Sequence, residues 1–265
     1  MTPYPAAHWH ARNFILLQLA SFILLLSWAM PATKPLWHAI DEPVFRLLNG
    51  SLGHLPAWDF LWALLSTRIA DLLAALIMLC SLILGGIMFD RHHLLRALLT
   101  FICLLVFTLV VRTLFTRAVD TAGLQHASPS VFFGDGFSLS RAYPWMEEIM
   151  EIKDRSSRSF PGDHASVLLL WTAYLSLFVR GKRLLLVWLT GIFLLLPRLV
   201  AGAHWLSDNL AGGGFVVMQT LAWGYYTTAG KQVYRLLNAL AIPCIRLARK
   251  IPGINRLAII RLEQY

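Results

Sequence analysis

Residues 95–115 read "LRALLTFICLLVFTLVVRTLF". An apolar run of that length leaves the chain few options. In hydrocarbon every backbone N–H and C=O must find its partner inside the segment, so the run folds as a helix. A span takes about 20 mostly apolar residues. Six stretches meet that length or come near it: 13–30, 69–89, 95–115, 163–179, 184–197 and 206–228. The fifth is short and draws on its flanks. A further segment, 57–66, is too short to cross and dips into the membrane or lies at its surface. The composition agrees: 57% hydrophobic and 14% charged, where a soluble domain is about 45–50% apolar and about 25% charged. The expectation is an all-α integral membrane bundle of six transmembrane helices.

The net charge of +9 would suit nucleic acid, but its distribution suits a membrane. Arg91 and Arg96 lie between the second and third spans, and Arg180, Lys182 and Arg183 between the fourth and fifth. Lys231, Arg235, Arg246, Arg249, Lys250, Arg256 and Arg261 crowd the tail. With alternating spans these three groups share one side, which is the cytoplasmic one by the Lys/Arg excess of inner loops. No nucleic-acid partner is expected. Both termini are then cytoplasmic, and loops 31–56, 116–160 and 197–205 face outward. The first apolar run has no clear small-x-small cleavage site and reads as a retained anchor. The domain reading is a lead over 1–12, a transmembrane domain over 13–230 and a basic amphipathic tail over 231–265. Residues 34–50 form an outward amphipathic segment. The tail reads as an interfacial helix on anionic lipid, an inert anchor in preference to a partner site. Cys80, Cys103 and Cys244 are far apart in apolar surroundings and read as three buried thiols.

Two polar clusters interrupt this pattern at outward positions. The first is "SFPGDH", residues 159–164, at the mouth of the fourth span. Pro161 suits a first helical turn, Gly162 permits close backbone approach to an anion, and the free N–H groups of a helix start cradle phosphate. His164 sits in that first turn. The second is "PRLVAGAHWLSD", residues 197–208. His204 and Asp208 are four apart, on one face if helical. Asp208 can then take the Nδ1 proton of His204 and leave Nε2 free to attack. Arg198 brings a planar fork suited to phosphate. Alone, "PGDH" is a common helix cap and a His–Asp pair a common structural hydrogen bond. Ionisable groups at membrane depth are costly and usually functional. Together the clusters describe phosphoryl transfer, with one His attacking phosphorus and the other protonating the leaving group. Two His and an Asp would also suit zinc, but Arg198 beside them repels a cation, so neither metal nor other cofactor is expected.

His164 after "PGD", then 33 residues, Arg198, five residues, His204, three residues and Asp208 resembles the type 2 phosphatidic acid phosphatase superfamily. Its last two signatures are PSGH and SRxxxxxHxxxD. The resemblance implies a six-helix bundle with an extracytoplasmic site and a phosphohistidine at His204 supported by Asp208. It also implies His164 as the acid and Arg198 on the phosphate. The chain departs from the pattern at Gly162, Asp163 and Pro197, and the first signature, Lys-x6-Arg-Pro, is missing. The nearest text, "RAVDTAGLQHASPS", has His126 and Pro129 there. Arg112, Arg117, Arg155 and Arg158 are candidate substitutes, with Arg155 and Arg158 best placed. Solvated loop charge is the alternative for each.

The departures, with "LSWAMP", "FLWALLSTRIAD" and "HASPS", resemble one branch, the undecaprenyl-pyrophosphate:lipid A 1-phosphate phosphotransferases. Arg68 and Asp71 belong to that text, either as ligands of a second phosphate or as a surface ion pair. The implied enzyme is a multi-pass protein of the bacterial inner membrane with a periplasmic site. His204, His164 and Asp208 are catalytic, and Arg198, Gly162, Asp163, Arg155 and Arg158 bind substrate. The donor is a polyprenyl diphosphate, the acceptor lipid A or water, and the remaining partners are membrane lipids. A plain undecaprenyl-diphosphate or lipid-phosphate phosphatase is the alternative.

Overall fold

In a computed structural model, which describes residues 5, 8–84 and 86–253, the chain is all-helical. Helix α1 (Ala11–Ala29) leads into amphipathic α2 (Lys34–Asn49) and short α3 (Pro56–Leu65). Helices α4 (Arg68–Ile83) and α5 (Leu94–Thr121) follow. The polar stretch 116–160 is not a bare loop. Its first residues continue α5, and three short helices occupy much of the rest: α6 (Pro129–Phe133), α7 (Leu139–Ala142) and α8 (Pro144–Met150). Then come α9 (Asp163–Ser176) and α10 (Lys182–Val200). A π-helical segment, Asp208–Gly213, runs directly into α11 (Gly214–Tyr226), and α12 (Thr228–Ala248) forms the tail. The tail end, with Arg256 and Arg261, and most of the N-terminal lead lie outside the described residues.

Three of these helical stretches are long and apolar enough to cross a membrane: Ala11–Ala29, Arg91–Thr121 and Lys182–Val200. The expected runs 69–89 and 163–179 end early, at Leu84 and Leu177, whereas 206–228 is helical from Leu206 to Tyr226 with the π-helical segment inside it. Burial explains the arrangement. Helix α9 is enclosed on every side, with Leu168, Leu170, Trp171, Tyr174 and Leu175 almost inaccessible. Around it, α1, α4 and α10 turn Leu, Ile and Phe outward, among them Phe22, Ile23, Leu72, Leu73, Leu189 and Phe193. That outward grease is what a lipid-facing ring requires.

Hydrogen bonds, which are more selective than apolar contact in lipid, join the helices. Gln219 on α11 and Gln18 on α1 exchange amide bonds of 2.8 and 3.1 Å. The Thr108 and Thr220 hydroxyls meet at 3.2 Å between α5 and α11. Trp171 Nε1–H donates to Ser81 Oγ at 3.0 Å. A second core, including Leu52, Trp62, Leu139, Met146, Ile152 and Val200, binds α3, α7 and α8 to the end of α10. This cap roofs one end of the bundle. The tail helix packs Tyr234 and Ile245 against Leu95, Leu99 and Cys103 of α5. Cys103 is buried, but Cys80 is only partly enclosed and Cys244 is exposed. Three buried thiols was therefore wrong for Cys244, which lies on a half-covered helix with one packed face.

The start of α9 is pressed against the π-helical segment. A Cβ on Gly212 would lie 2.8 Å from Pro161 Cβ and 2.9 Å from Pro161 Cα, and backbone cannot yield there. Gly212→Ala is expected to destabilise the fold by about 1–3 kcal/mol through overpacking. Thermal unfolding in detergent reads this as a lower midpoint, and an unchanged midpoint would contradict the packing described.

Candidate active site

A cavity of about 540 Å³ opens where the cap meets the bundle. Helix α9 brings His164 and Asp163, the turn after α10 brings His204, and the end of α10 brings Arg198. Helix α4 adds Arg68 and Asp71, and α5 adds Arg112. The loop before α9 adds Lys153, Arg155 and Arg158. Six cations against two carboxylates make it a receptacle for a multiply charged anion. Ala74, Ala75, Met78, Val167 and Leu168 extend its lining toward the apolar interior. The two sequence clusters, forty residues apart, thus share one chamber.

His204 does not lie on a helix face with Asp208. It occupies the turn that Gly202, at φ +77°, makes after α10, and Asp208 opens the π-helical segment. The Nδ1 of His204 is 2.9 Å from the Ser159 carbonyl oxygen and 3.5 Å from Asp208 Oδ2. A carbonyl only accepts, so Nδ1 carries the hydrogen and Nε2 is the atom turned to the cavity. The expected Asp208 contact is present, but Ser159 makes the shorter bond. Asp208 is fully enclosed and well occupied: Oδ2 accepts the Trp205 N–H at 2.8 Å and Oδ1 lies 2.9 Å from His126 Nε2. Burial acts to lower the pKa of His204. Hydrogen bonds and charge from Asp163 and Asp208 outweigh it and raise the group to about 9.

Several site expectations change. Gly162 is absent from the cavity wall. Its N–H donates to the Asp208 carbonyl at 3.2 Å, and a Cβ there would meet Asn209 Oδ1 at 2.6 Å. It serves close packing between two chain segments, not anion approach. Pro161 precedes the cap instead of entering the first turn, and its bond with Phe160 is cis. The helix-start cradle already holds an anion: Asp163 Oδ1 accepts the His164 N–H at 2.7 Å and lies 3.7 Å from His204 Nε2. Asp163 is therefore a negative group inside the expected phosphate position, which phosphate would meet as a repulsive neighbour. Arg155 and Arg158 do line the cavity, but each is engaged, by Glu147 and Ser140 and by Asp120 respectively. Arg117 is not in its wall, whereas Arg112 is.

Arg68 and Asp71 pair elsewhere, not with each other. Arg68 bonds Glu151, which also holds Lys153. Asp71 places both carboxylate oxygens 2.6 Å from Arg198 Nη2, and Arg198 Nη1 donates to the Ser66 carbonyl at 2.7 Å. The His164 ring stands between the Leu194 carbonyl, 3.3 Å from Nε2, and Asp71 Oδ1, 3.4 Å from Nδ1. His126 as a second partner of Asp208, and Ser159 and Leu194 as backbone acceptors, were not foreseen. "HASPS" carried a hint of His126; nothing local marks a backbone carbonyl.

An all-helical bundle whose cationic chamber joins two histidines, an arginine and a buried aspartate belongs to a definite class. Residues 101–234 match the model of the PAP2 superfamily, and the chain belongs to that family. It is an enzyme of a phosphatase and phosphotransferase family. It is also similar to the lipid A 1-diphosphate synthase of Escherichia coli (strain K12), with 26% identity over 255 residues, 92% of this chain and 95% of that one. No solved structure matches.

The raised His204 pKa has a consequence for stability. An unfolded His titrates near 6.5, so the ion-paired imidazolium contributes fully below about pH 6.5. That contribution is lost as pH rises through about 9. The thermal midpoint in detergent should fall across this window, and His204→Gln should flatten the fall.

Proposed function

We propose that this enzyme moves the terminal phosphoryl group of undecaprenyl diphosphate onto lipid A 1-phosphate at the periplasmic face of the bacterial inner membrane. The observation that carries the reading is the one cavity in which His204, His164 and Arg198 meet among five further cations and an apolar extension. A diphosphate needs several positive partners, and a prenyl chain needs the apolar side. Similarity to a lipid A 1-diphosphate synthase supports the acceptor.

In this reading the Nε2 lone pair of His204 attacks the terminal phosphorus. The bond to the bridging oxygen breaks, and the departing polyprenyl phosphate takes a proton from His164. Leu194 C=O accepts at Nε2 of that ring, so Nδ1, toward the cavity, delivers the proton. Arg198 and the neighbouring cations stabilise the charge that develops on the equatorial oxygens. A phosphate oxygen of the acceptor then attacks the phosphohistidine and releases His204. Water as acceptor would make the enzyme a phosphatase, with His164 taking the water's proton. Asp208 orients His204 from behind, shared with His126. No metal or cofactor enters the scheme.

The topology proposed with it is six spans, with α4, α9 and the π-segment plus α11 crossing beside the three long helices, and both termini cytoplasmic. The cap of α2, α3, α6, α7 and α8 is then periplasmic. Residues 1–12 are a lead, 13–230 the transmembrane domain and 231–265 a cytoplasmic tail on the inner leaflet.

Incubation of purified protein with donor labelled in its terminal phosphate tests the reaction, with and without lipid A. Label should appear on lipid A, and acid-labile label should be trapped on protein but not on His204→Ala. Label in free phosphate alone would remove the transferase reading. A second expectation follows from the need for a neutral Nε2. Since kcat/KM reports the free enzyme, an acid near the ordinary imidazole value of about 6.5 and a base near 9 leave it level between those pH values and falling above about 9. Asp163→Asn removes a carboxylate that favours the imidazolium, so it should move that fall to lower pH. An unmoved profile would detach His204 from the attacking role.

A further inference from the structure

Each histidine of the cavity is held on one side by a backbone carbonyl and faces a carboxylate on the other. His204 has Ser159 behind it and Asp163 ahead. His164 has Leu194 behind it and Asp71 ahead, with Asp71 Oδ1 3.4 Å from Nδ1. Asp71 also lies 2.6 Å through both oxygens from Arg198 Nη2. A guanidinium N–H and, when the His164 ring is protonated, an imidazolium N–H converging on one oxyanion are the donors that a phosphoryl oxygen would take. In this structure they are answered by a side chain of α4.

Two facts separate this carboxylate from an ordinary orienting partner. Arg198 is anchored without it, since Nη1 donates to the Ser66 carbonyl at 2.7 Å. And Arg198 is nearly enclosed, with 6% of its side chain accessible, while 37% of Asp71 is accessible in the cavity wall. Asp71 is the member of the pair with room to leave.

We propose that Asp71 is an internal competitor for phosphate: it occupies the position of a phosphoryl oxygen on Arg198 and His164 in the empty site, and sets how weakly a lone phosphate binds. The inference rests on the reading above that the cavity receives phosphoryl groups. A tethered group competes at an effective concentration of roughly millimolar or more. A single phosphate must displace it with few contacts to offset the loss. A lipid diphosphate brings a second phosphate to the remaining cations and a chain to the apolar side. Asp71 thus answers Arg198, yields to the donor, and does not let the site retain inorganic phosphate.

The test measures orthovanadate binding to the purified full-length chain in detergent by vanadium NMR, with inorganic phosphate as competitor. Asp71→Asn and Asp71→Ala should each bind about tenfold more tightly than the unaltered protein, as expected for loss of a tethered competitor. In an Arg198→Gln background, the gain from Asp71→Asn should shrink below about twofold, because the group competed for is gone. Unchanged or weaker binding in both Asp71 variants overturns the proposal. So does equal tightening in both backgrounds, which would mean a general field effect. Thermal midpoints identify folded variants, and Arg198→Met replaces Arg198→Gln if the latter fails to fold. Absence of orthovanadate binding in the unaltered protein and in both Asp71 variants would instead overturn the phosphoryl site itself, and the inference with it.

Discussion

The site depends on one close approach between two chain segments. The N–H of Gly162 reaches the Asp208 carbonyl at 3.2 Å, and Gly162 and Gly212 leave no room for side chains between the loop before α9 and the π-helical segment. That contact carries His164 on one partner and Asp208 on the other. It also brings the Ser159 carbonyl under His204. A methylene inserted there would push apart the segments that carry His164 and Asp208. The apolar bundle below makes the contact rigid, since α9 is packed on all sides.

Charge is the second constraint. An unpaired charge near hydrocarbon is expensive, yet a phosphoryl-transfer site needs several cations. The chain meets both demands with carboxylates that answer the cations. Asp71 meets Arg198, Asp163 meets His204, Glu151 meets Arg68 and Lys153, and Glu147 and Asp120 meet Arg155 and Arg158. The exposed pairs at the rim contribute little to stability. The enclosed ones matter more, because removing one partner leaves a buried charge.

The helices were legible because apolar length is a local property: each expected span recurs as a helix near its predicted limits, and 34–50 and 57–66 recur as α2 and α3. That His164, Arg198 and His204 would share one cavity was legible too, because histidine and arginine at membrane depth demand explanation. What failed was local geometry. His204 and Asp208 were read as a helical i, i+4 pair, but a positive-φ glycine two residues earlier puts His204 in a turn. Gly162 was read as an anion neighbour, but whether a glycine faces a ligand or another segment depends on residues far along the chain.

The residue order of this protein, read by itself, was enough to establish a greasy helical bundle, a long polar stretch and two polar clusters, since composition and spacing act within a few turns of the chain. Which charges meet was settled by folding. Asp71 and Arg198 are 127 residues apart, and His126 and Asp208 are 82 apart. Nothing in either neighbourhood names its partner. Packing of α4 against the end of α10, and of the loop before α6 against the π-helical segment, made those pairs, because pairing in a low-dielectric interior is decided by which groups end up within hydrogen-bond reach.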